Sequence, residues 1–314
     1  MMVTRTRIVA GLAGLVMAAG TTAGTVAPAA ARATGVTPSF DVVALGDSYG
    51  SGTGAGDYEP GTEQTCYRSR HSSSAILVEE LRRRGTNVRF TNVTCSGATI
   101  QDLRQTFKGE PPQLGALRRN TDLVTLNIGG NDIGFAGYGN TCVQADCTGA
   151  PTTAILDRIP ALKRPLSGLL TEIRRRSPRA QIVMTGYGRA VTRGQNATGV
   201  RLDPICDAGV LSAEERLAGA RVSSTLDATL SRTAQAARAR GVDVRFVSPH
   251  RSAATLHPEF AGHSLCESTA PFYRGFDALA PGQEGGVAVL HLNRQGHAAL
   301  AALIQRKVPI LAAL

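Results

Sequence analysis

The stretch Asp41-Val42-Val43-Ala44-Leu45-Gly46-Asp47-Ser48-Tyr49 decides how this chain is interpreted. Its apolar part predicts a buried strand, and that strand ends abruptly at Gly-Asp-Ser. Ligands of open α/β sheets bind outside the carboxyl ends of the strands, so the hydroxyl of Ser48 lies where a nucleophile could act. The same residue types are also common in ordinary turns. Ser48 is therefore a candidate nucleophile only if a base and an oxyanion site lie beside it.

Four further apolar runs resemble this first one. Their nearly continuous apolar character predicts parallel strands that are covered on both faces. Helical patterns lie between them, and the pattern over 212–240 opens with the capping-box sequence Ser212-Ala213-Glu214-Glu215. The alternation predicts an α/β fold, a single three-layer α/β/α domain with a five-stranded parallel sheet. The predicted strands are 42–45, 88–93, 123–128, 181–184 and 242–247, and the predicted helices are 73–84, 155–176, 212–240 and 295–308.

Pro160 and Pro165 interrupt the second helical pattern, which predicts a kinked or two-piece helix. The stretches 133–152, 187–211 and 249–290 are expected to be long loops. Loops of this length inside one domain are usually functional, and these are expected to line a cleft.

The first 33 residues are expected to be a secretory signal peptide rather than part of the fold. Arg5 and Arg7 precede a short apolar stretch, which is followed by small residues that end in Ala31-Arg32-Ala33. The apolar stretch is too short for a comfortable membrane span. We therefore expect a secreted, extracellular protein whose domain comprises residues 34–314, without stable membrane insertion.

Six cysteines agree with an oxidising compartment, where an even number predicts three disulfides. About 15 pairings are possible, and the sequence does not choose among them. Pairing in chain order would hold each loop close to a strand end, so we expect Cys66–Cys95, Cys142–Cys147 and Cys206–Cys266. The spacing does not suit a metal site, and we expect neither a metal nor a cofactor.

The net charge of +10 falls to about +7 without the signal peptide. A basic protein could bind nucleic acid or anionic lipid surfaces. Nucleic-acid binding is disfavoured because the arginines are dispersed and aromatic residues make up only 4% of the chain. Anionic lipid surfaces remain as the expected interface, and we expect a monomeric protein.

Two further turns follow predicted strands and would lie at the same edge of the sheet as Ser48. Gly97 could offer an unobstructed backbone N–H, and Asn131 could offer a side-chain amide. Together with the N–H of Ser48, they would form an oxyanion site. Of the six histidines, His291 comes just before the last predicted helix, where a loop could bring it over the sheet edge as the base.

These blocks resemble the SGNH/GDSL hydrolase superfamily, and particularly the exported lipases and esterases of actinobacteria of the Streptomyces type. The resemblance covers nearly all of residues 38–308. It rests on four blocks, Gly46-Asp47-Ser48-Tyr49, Ser96-Gly97-Ala98, Gly129-Gly130-Asn131-Asp132 and His291-Leu292-Asn293. It implies a flavodoxin-like SGNH fold with Ser48 as nucleophile and His291 as base. It also implies an oxyanion hole made by Ser48, Gly97 and Asn131.

Two positions depart from the pattern of that family. Leu292 stands where proline is usual, and Ala288 stands where an aspartate often orients the histidine. We therefore expect a Ser–His dyad in which a main-chain carbonyl of residues 288–289 accepts a hydrogen bond from His291. Glu284 or Asp277 could instead fold back as the acid. Asp47, next to the nucleophile, is expected to stabilise the turn.

The resemblance implies hydrolysis of carboxylic esters through an acyl-enzyme. Acyl lipids are the expected substrates, which would make the protein a lipase or esterase, with phospholipase A activity as one form. A carbohydrate esterase or deacetylase would use the same residues. A non-catalytic secreted binding protein is disfavoured because all four blocks are intact.

Overall fold

Five parallel strands form one sheet in the spatial order β2-β1-β3-β4-β5. The computed structural model describes residues 39–194, 196 and 201–312, so the expected signal peptide over 1–33 lies outside the described residues. All five predicted strands are confirmed within two residues at each end. Their bounds are β1 Phe40–Gly46, β2 Val88–Asn92, β3 Leu123–Asn127, β4 Gln181–Thr185 and β5 Val244–Val247.

The central strands are buried on both faces, as their apolar sequences predict. Every residue of β3 and β4 is buried, and so are the last six residues of β1. The parallel register pairs Gly46 with Asn127, so β1 and β3 end level with each other. The residues that follow these two strands therefore meet at the same edge of the sheet.

Helices cover both faces of the sheet and complete the three layers. The helices form two groups according to their contacts. In the first, α2 packs against α7; in the second, α6 packs against both α4 and α5. No helix within residues 39–194, 196 and 201–312 is long and apolar enough to cross a membrane. The helices are α1 Ser48–Ser51, α2 Ser73–Arg83, α3 Phe135–Gln144, α4 Ala150–Arg158, α5 Lys163–Arg176, α6 Ala213–Ala239, α7 Arg294–Lys307 and α8 Pro309–Ala312.

The break predicted in the helical pattern over 155–176 is present, but it falls at only one of the two prolines. A 3₁₀ turn over Ile159–Leu162 contains Pro160 and separates α4 from α5. Pro165 lies in the first turn of α5, where backbone N–H groups have no partner inside the helix, so a proline is tolerated there. The capping box predicted at Ser212 is confirmed, with Glu215 as its reciprocal partner.

The expectation that 133–152 is loop was wrong, because α3 occupies much of this stretch. Gly137 and Gly139 lower its intrinsic helix propensity, and Gly134 at its N-cap supplies no side-chain bond. The helix is held instead by tertiary contacts: Tyr138 is buried, and Cys142 forms a disulfide with Cys147.

All six cysteines are paired in the structure, and the pairing follows chain order. Cys66–Cys95 joins the loop after α1 to the loop after β2, close to the end of that strand. Cys206–Cys266 joins the connection that follows β4 to the connection that follows β5, and the two cysteines are 60 residues apart in sequence. The bridges thus hold loops around the carboxyl edge of the sheet.

The end of β1 is held by side chains as well as by the strand ladder. Gln113 accepts from the N–H of Gly46 and donates to its carbonyl, at 2.8 and 2.9 Å. One residue later, the N–H of Asp47 donates to the carbonyl of Asn127 at 2.9 Å. The backbone that leads into Ser48 is therefore fixed on both sides.

Replacing Gly46 by alanine is expected to reduce the free energy of unfolding by about 3 kcal/mol or more. Gly46 has a φ of +138°, and an added Cβ would lie 2.2 Å from the carbonyl oxygen of Asn127. Urea unfolding measures the loss. Gly85→Ala is the matched control, because Gly85 has a φ of +90° but no atom within 4 Å of an added Cβ. It should cost only about 1–2 kcal/mol, and equal losses in the two variants would contradict the argument.

Candidate active site

Ser48 begins a single helical turn directly after β1. Asp47 caps this turn by accepting from the N–H of Tyr49 at 3.0 Å, and Gly52 ends it in the left-handed region. The sharp change from strand to helix leaves the Ser48 side chain at the sheet edge, where the residue is 8% exposed. This is the position that the sequence predicted for a nucleophile.

His291 is hydrogen-bonded to Ser48, although 243 residues separate them. The His291 Nε2 lies 2.7 Å from the Ser48 Oγ, and the His291 Nδ1 lies 3.2 Å from the carbonyl oxygen of Val289. A carbonyl can only accept, so Nδ1 carries the hydrogen and Nε2 of the neutral ring is left as an acceptor. This tautomer is the one that can receive the serine proton.

The two carboxylates considered as alternatives are bound elsewhere. Glu284 accepts from the Tyr58 hydroxyl at 2.9 Å and pairs with Arg274 at 2.9 Å. Asp277 pairs with the same guanidinium at 2.6 Å. Neither of them is hydrogen-bonded to His291, and the acceptor at its Nδ1 is a main-chain carbonyl, as expected from the sequence.

The environment of the imidazole favours its neutral form. Burial lowers the pKa of His291 to about 4, and the hydrogen bonds to the carbonyls of Val289 and Ala288 oppose this shift only in part. A carboxylate partner would have stabilised the imidazolium form far more than a neutral dipole does. The surroundings of His291 therefore favour a neutral imidazole at neutral pH.

Tyr49 holds the loop that carries His291, a role that the sequence did not reveal. Its hydroxyl donates to the carbonyl of Leu290 at 2.6 Å, and its ring lies 4.8 Å from the imidazole. Leu290 has a φ of +65°, which is unusual for a residue with a branched side chain. Its N–H donates to the carbonyl of Arg274 at 2.8 Å, so bonds on both sides of the residue maintain this conformation.

Asp47 is fully buried and belongs to a different network from the dyad. Its carboxylate accepts from the N–H of Tyr49 and, at 2.5 Å, from the hydroxyl of Tyr187. That hydroxyl in turn accepts from the N–H of Gly130 at 2.7 Å. Burial raises the pKa of Asp47 to about 7, although both bonds favour the ionised form. Asp47 thus ties the nucleophile turn to the turn after β3, and nothing in the local sequence marks Tyr187 as the link.

Gly97 and Asn131, which with Ser48 are the expected oxyanion donors, line the same cavity as Ser48 and His291. In the described part of the chain, the N–H groups of Ser48 and Gly97 have no hydrogen-bond acceptor. The Asn131 amide donates one hydrogen to the carbonyl of Ala98 at 2.9 Å, which leaves its second hydrogen available. The neighbouring Asp132 accepts from the N–H of Ile100 and so holds the two turns together.

This cavity has a volume of about 330 Å³. Ser48, His291 and the N–H donors lie at its floor, and most of the remaining wall is formed by apolar side chains. A smaller cavity of about 50 Å³ shares part of that wall and is also largely apolar. Leu279 and Val287 are 53% and 37% exposed, which is high for side chains of this type. The apolar lining includes Phe135, Val143, Phe276, Leu279, Val287 and Leu290.

The site shows no arrangement suited to a metal ion. Within residues 39–194, 196 and 201–312, no three His, Cys, Asp or Glu side chains are grouped as ligands. The groups at the cavity floor are instead a hydroxyl, an imidazole and several N–H donors. This arrangement can support attack of a serine on a carbonyl carbon.

The sequence is similar to those of known lipases over most of its length. The model of the GDSL-like Lipase/Acylhydrolase family matches residues 44–299. Lipase 1 of Streptomyces coelicolor is 32% identical over 294 residues, which cover 90% of this chain and 96% of that protein. A lipase of Streptomyces rimosus is 31% identical over 256 residues, which cover 78% of this chain and 83% of that protein.

Solved structures show the same similarity in three dimensions. The extracellular lipase of Streptomyces rimosus superposes with a TM-score of 0.64 at 28% identity, covering 86% of this chain and 100% of that one. A phospholipase A1 of Streptomyces albidoflavus gives a TM-score of 0.64 at 25% identity with the same coverage. Sequence and fold thus agree on the same group of relatives.

Proposed function

The chain belongs to the GDSL-like lipase/acylhydrolase family and is a carboxylic ester hydrolase, and we propose that Ser48 and His291 are its catalytic residues. The observation that carries this proposal is the 2.7 Å hydrogen bond between Ser48 Oγ and His291 Nε2 at the floor of an apolar cavity. Nucleophile and base must lie within this reach for the proton to transfer as the serine attacks.

In the proposed reaction His291 takes the proton of Ser48 while the serine oxygen attacks the ester carbonyl. The resulting oxyanion accepts hydrogen bonds from the N–H groups of Ser48 and Gly97 and from the Asn131 amide. The alcohol leaves with the proton from His291. In the second half of the reaction His291 takes a proton from water as the water attacks the acyl carbon, and returns it to the Ser48 oxygen as the carboxylic acid is released. Donors fixed before the reaction are effective because they need no reorganisation as charge develops.

The apolar wall of the cavity supports acyl lipids as the substrates. Aromatic and aliphatic side chains would bury the methylene groups of an acyl chain, each worth about 0.8 kcal/mol. The exposed Leu279 and Val287 belong to the same wall and could contact a lipid surface. The lipase and phospholipase A1 names of the relatives agree with this substrate class.

We further propose that the protein is secreted and acts as a monomer at lipid interfaces that carry negative charge. Support for secretion comes from the three disulfides and from the extracellular lipase among its structural relatives, and support for an anionic interface comes from the basic net charge, which is about +7 without the expected signal peptide. Culture-medium fractionation tests secretion, and light scattering on the purified protein tests the monomeric state.

A series of chromogenic esters of increasing acyl length tests the substrate class. If acyl chains bind the apolar wall, kcat/KM should rise from acetyl to medium-length chains, and phosphatidylcholine or triacylglycerol should be cleaved. Acetylated sugar provides the comparison. A sharp optimum at acetyl, with release of acetate from the sugar, would contradict the lipid assignment and favour a carbohydrate esterase.

The pH dependence of kcat/KM should show an acidic limb with a midpoint close to pH 4. His291 works as a base only when neutral, and burial lowers its pKa to about 4. Activity should therefore persist as the pH falls through 6.5, the ordinary pKa of a histidine, and decrease tenfold per pH unit below about 4. Initial rates on a soluble ester measure the profile, with circular dichroism to show that the protein stays folded.

A midpoint near 6.5 would contradict this account of the imidazole. Asp47 also titrates with a raised pKa, so Asp47→Asn serves as the control. If the acidic limb disappeared in that variant, the limb would belong to Asp47 rather than to His291.

A further inference from the structure

A third cavity lies beside the edge strand β5, apart from Ser48 and His291. Its volume is about 370 Å³, and its wall is built from α6, from β5 with the loop that follows it, and from the end of α7. Ser48, His291 and the three oxyanion donors are absent from this wall. The proposed ester hydrolysis does not use this cavity.

The cavity is lined by cationic side chains that lack acidic partners. Arg251 and Lys307 are exposed, and in the described part of the chain their side chains have neither hydrogen-bond nor ion-pair partners. The Arg232 side chain donates only to Thr229 on its own helix. Flexible cations with free donors can converge on an anion that enters between them.

His257, in the same wall, is in a positive environment. Burial lowers its pKa first, and the nearby charges of Lys307, Arg251 and Arg306 lower it further. Glu259 opposes this effect, but its carboxylate is paired with Arg306. The positive charge around the cavity is thus only partly neutralised by neighbouring acids.

His250 provides a second and independent observation. Its side chain is 5% exposed and lines the cavity, and its Nδ1 lies 2.9 Å from the buried carboxylate of Asp227. The other ring nitrogen, Nε2, is buried and has no hydrogen-bond partner among the described residues. Buried polar atoms normally have a partner, so this nitrogen is left unsatisfied within the wall of the cavity.

Asp227 is otherwise saturated and holds His250 in place. Its carboxylate accepts from the hydroxyl of Ser248, from the N–H of Tyr187 at 2.9 Å and from the N–H of Gly188 at 3.4 Å. The ring is thus held in one orientation at the inner wall of the cavity.

We propose that this cavity binds a phosphate group, held by Arg251, Lys307 and Arg232 with His250 at its inner wall. A phosphate has several acceptor oxygens and more than one negative charge, which matches three cations around a small space. The hydroxyls of Ser231 and Ser252 line the same cavity and add neutral donors. The group could come from free phosphate or from the headgroup of a phospholipid.

Thermal unfolding in increasing inorganic phosphate tests the site, with ionic strength held constant by chloride. A ligand that binds only the folded state raises Tm with its concentration. The double variant Arg251→Gln/Lys307→Gln should weaken the apparent phosphate affinity at least about tenfold, since each lost charge-assisted hydrogen bond is worth roughly that factor. Its kcat on a soluble ester should stay unchanged, which separates this test from the proposed catalysis.

The matched control removes the same charge from another surface. Lys163→Gln/Arg175→Gln changes two cations of α5 that do not line the cavity, and it should bind phosphate like the wild type. Phosphatidylcholine vesicles with and without phosphatidic acid form a second arm, with Ser48→Ala added to every protein so that the lipid is not hydrolysed.

The two arms identify the source of the phosphate. A Tm shift that the cavity variant loses and the control keeps supports binding of free phosphate. Sedimentation with phosphatidic acid vesicles that depends on the cavity residues, without a Tm shift, supports binding of a headgroup. The proposal is overturned if the cavity variant and the control behave alike in both arms.

Discussion

Replacement of Ser48 by alanine is expected to reduce kcat for ester hydrolysis by at least about 10⁴. The substitution removes the Oγ that lies 2.7 Å from His291 Nε2, and no other hydroxyl is hydrogen-bonded to that nitrogen in the described part of the chain. Without it, the acyl-enzyme cannot form, and only the cavity and the oxyanion donors remain. Steady-state rates with a soluble chromogenic ester measure the loss.

The variant should remain folded, since only a hydroxyl is removed from the first residue of α1. Circular dichroism and Tm verify this. Ser167→Ala provides a control, because Ser167 lies on α5 and, among the described residues, its hydroxyl is hydrogen-bonded only to the Arg240 guanidinium, from which it accepts at 3.3 Å. Near-full activity of Ser48→Ala would refute its assignment as the nucleophile.

Replacement of His291 by alanine is expected to lower kcat by about 10⁴, comparable to the loss in Ser48→Ala. The serine hydroxyl would then have no base, because the Val289 carbonyl only orients the imidazole and cannot itself accept the proton in its place. Residues that act as one unit are not additive, so the double variant should be little worse than either single one. The same ester assay compares the three variants.

Glu284→Gln and Asp277→Asn separate a dyad from a triad. Both carboxylates are bound by Arg274, and neither is hydrogen-bonded to His291, so each variant should change kcat less than about threefold. A loss near 10⁴ in either one would identify that residue as a catalytic acid and contradict the carbonyl arrangement. A rate close to wild type in His291→Ala would remove the histidine from the mechanism.

The parallel sheet could be predicted because its strands have apolar residues on both faces. Five such runs, separated by helical patterns, permit few other arrangements. Helix ends were predictable where local chemistry marks them, as at Ser212 and Glu215. By contrast, α3 was missed because Gly137 and Gly139 disfavour a helix, and the contacts that stabilise α3 come from residues outside it.

The candidate site was predictable to the extent that it follows the strand ends. Ser48 follows β1, Gly97 comes after β2 and Asn131 comes after β3, so parallel topology brings all three to one edge. The roles of Tyr49 and Tyr187 could not be derived in this way. The Tyr187 hydroxyl reaches Asp47 across 140 residues of sequence, and no local pattern encodes such a contact.

The sequence by itself determined the five parallel strands, the longer helices between them and the Gly-Asp-Ser turn that presents Ser48, because these depend on short-range periodicity and turn chemistry. It also showed that no aspartate stands at Ala288 to orient His291. Only the tertiary structure decided that the carbonyl of Val289 takes this role and that Glu284 and Asp277 are held by Arg274. Such choices depend on distances between distant segments that must be correct to within about a few tenths of an ångström, and those distances are set only once the core has packed.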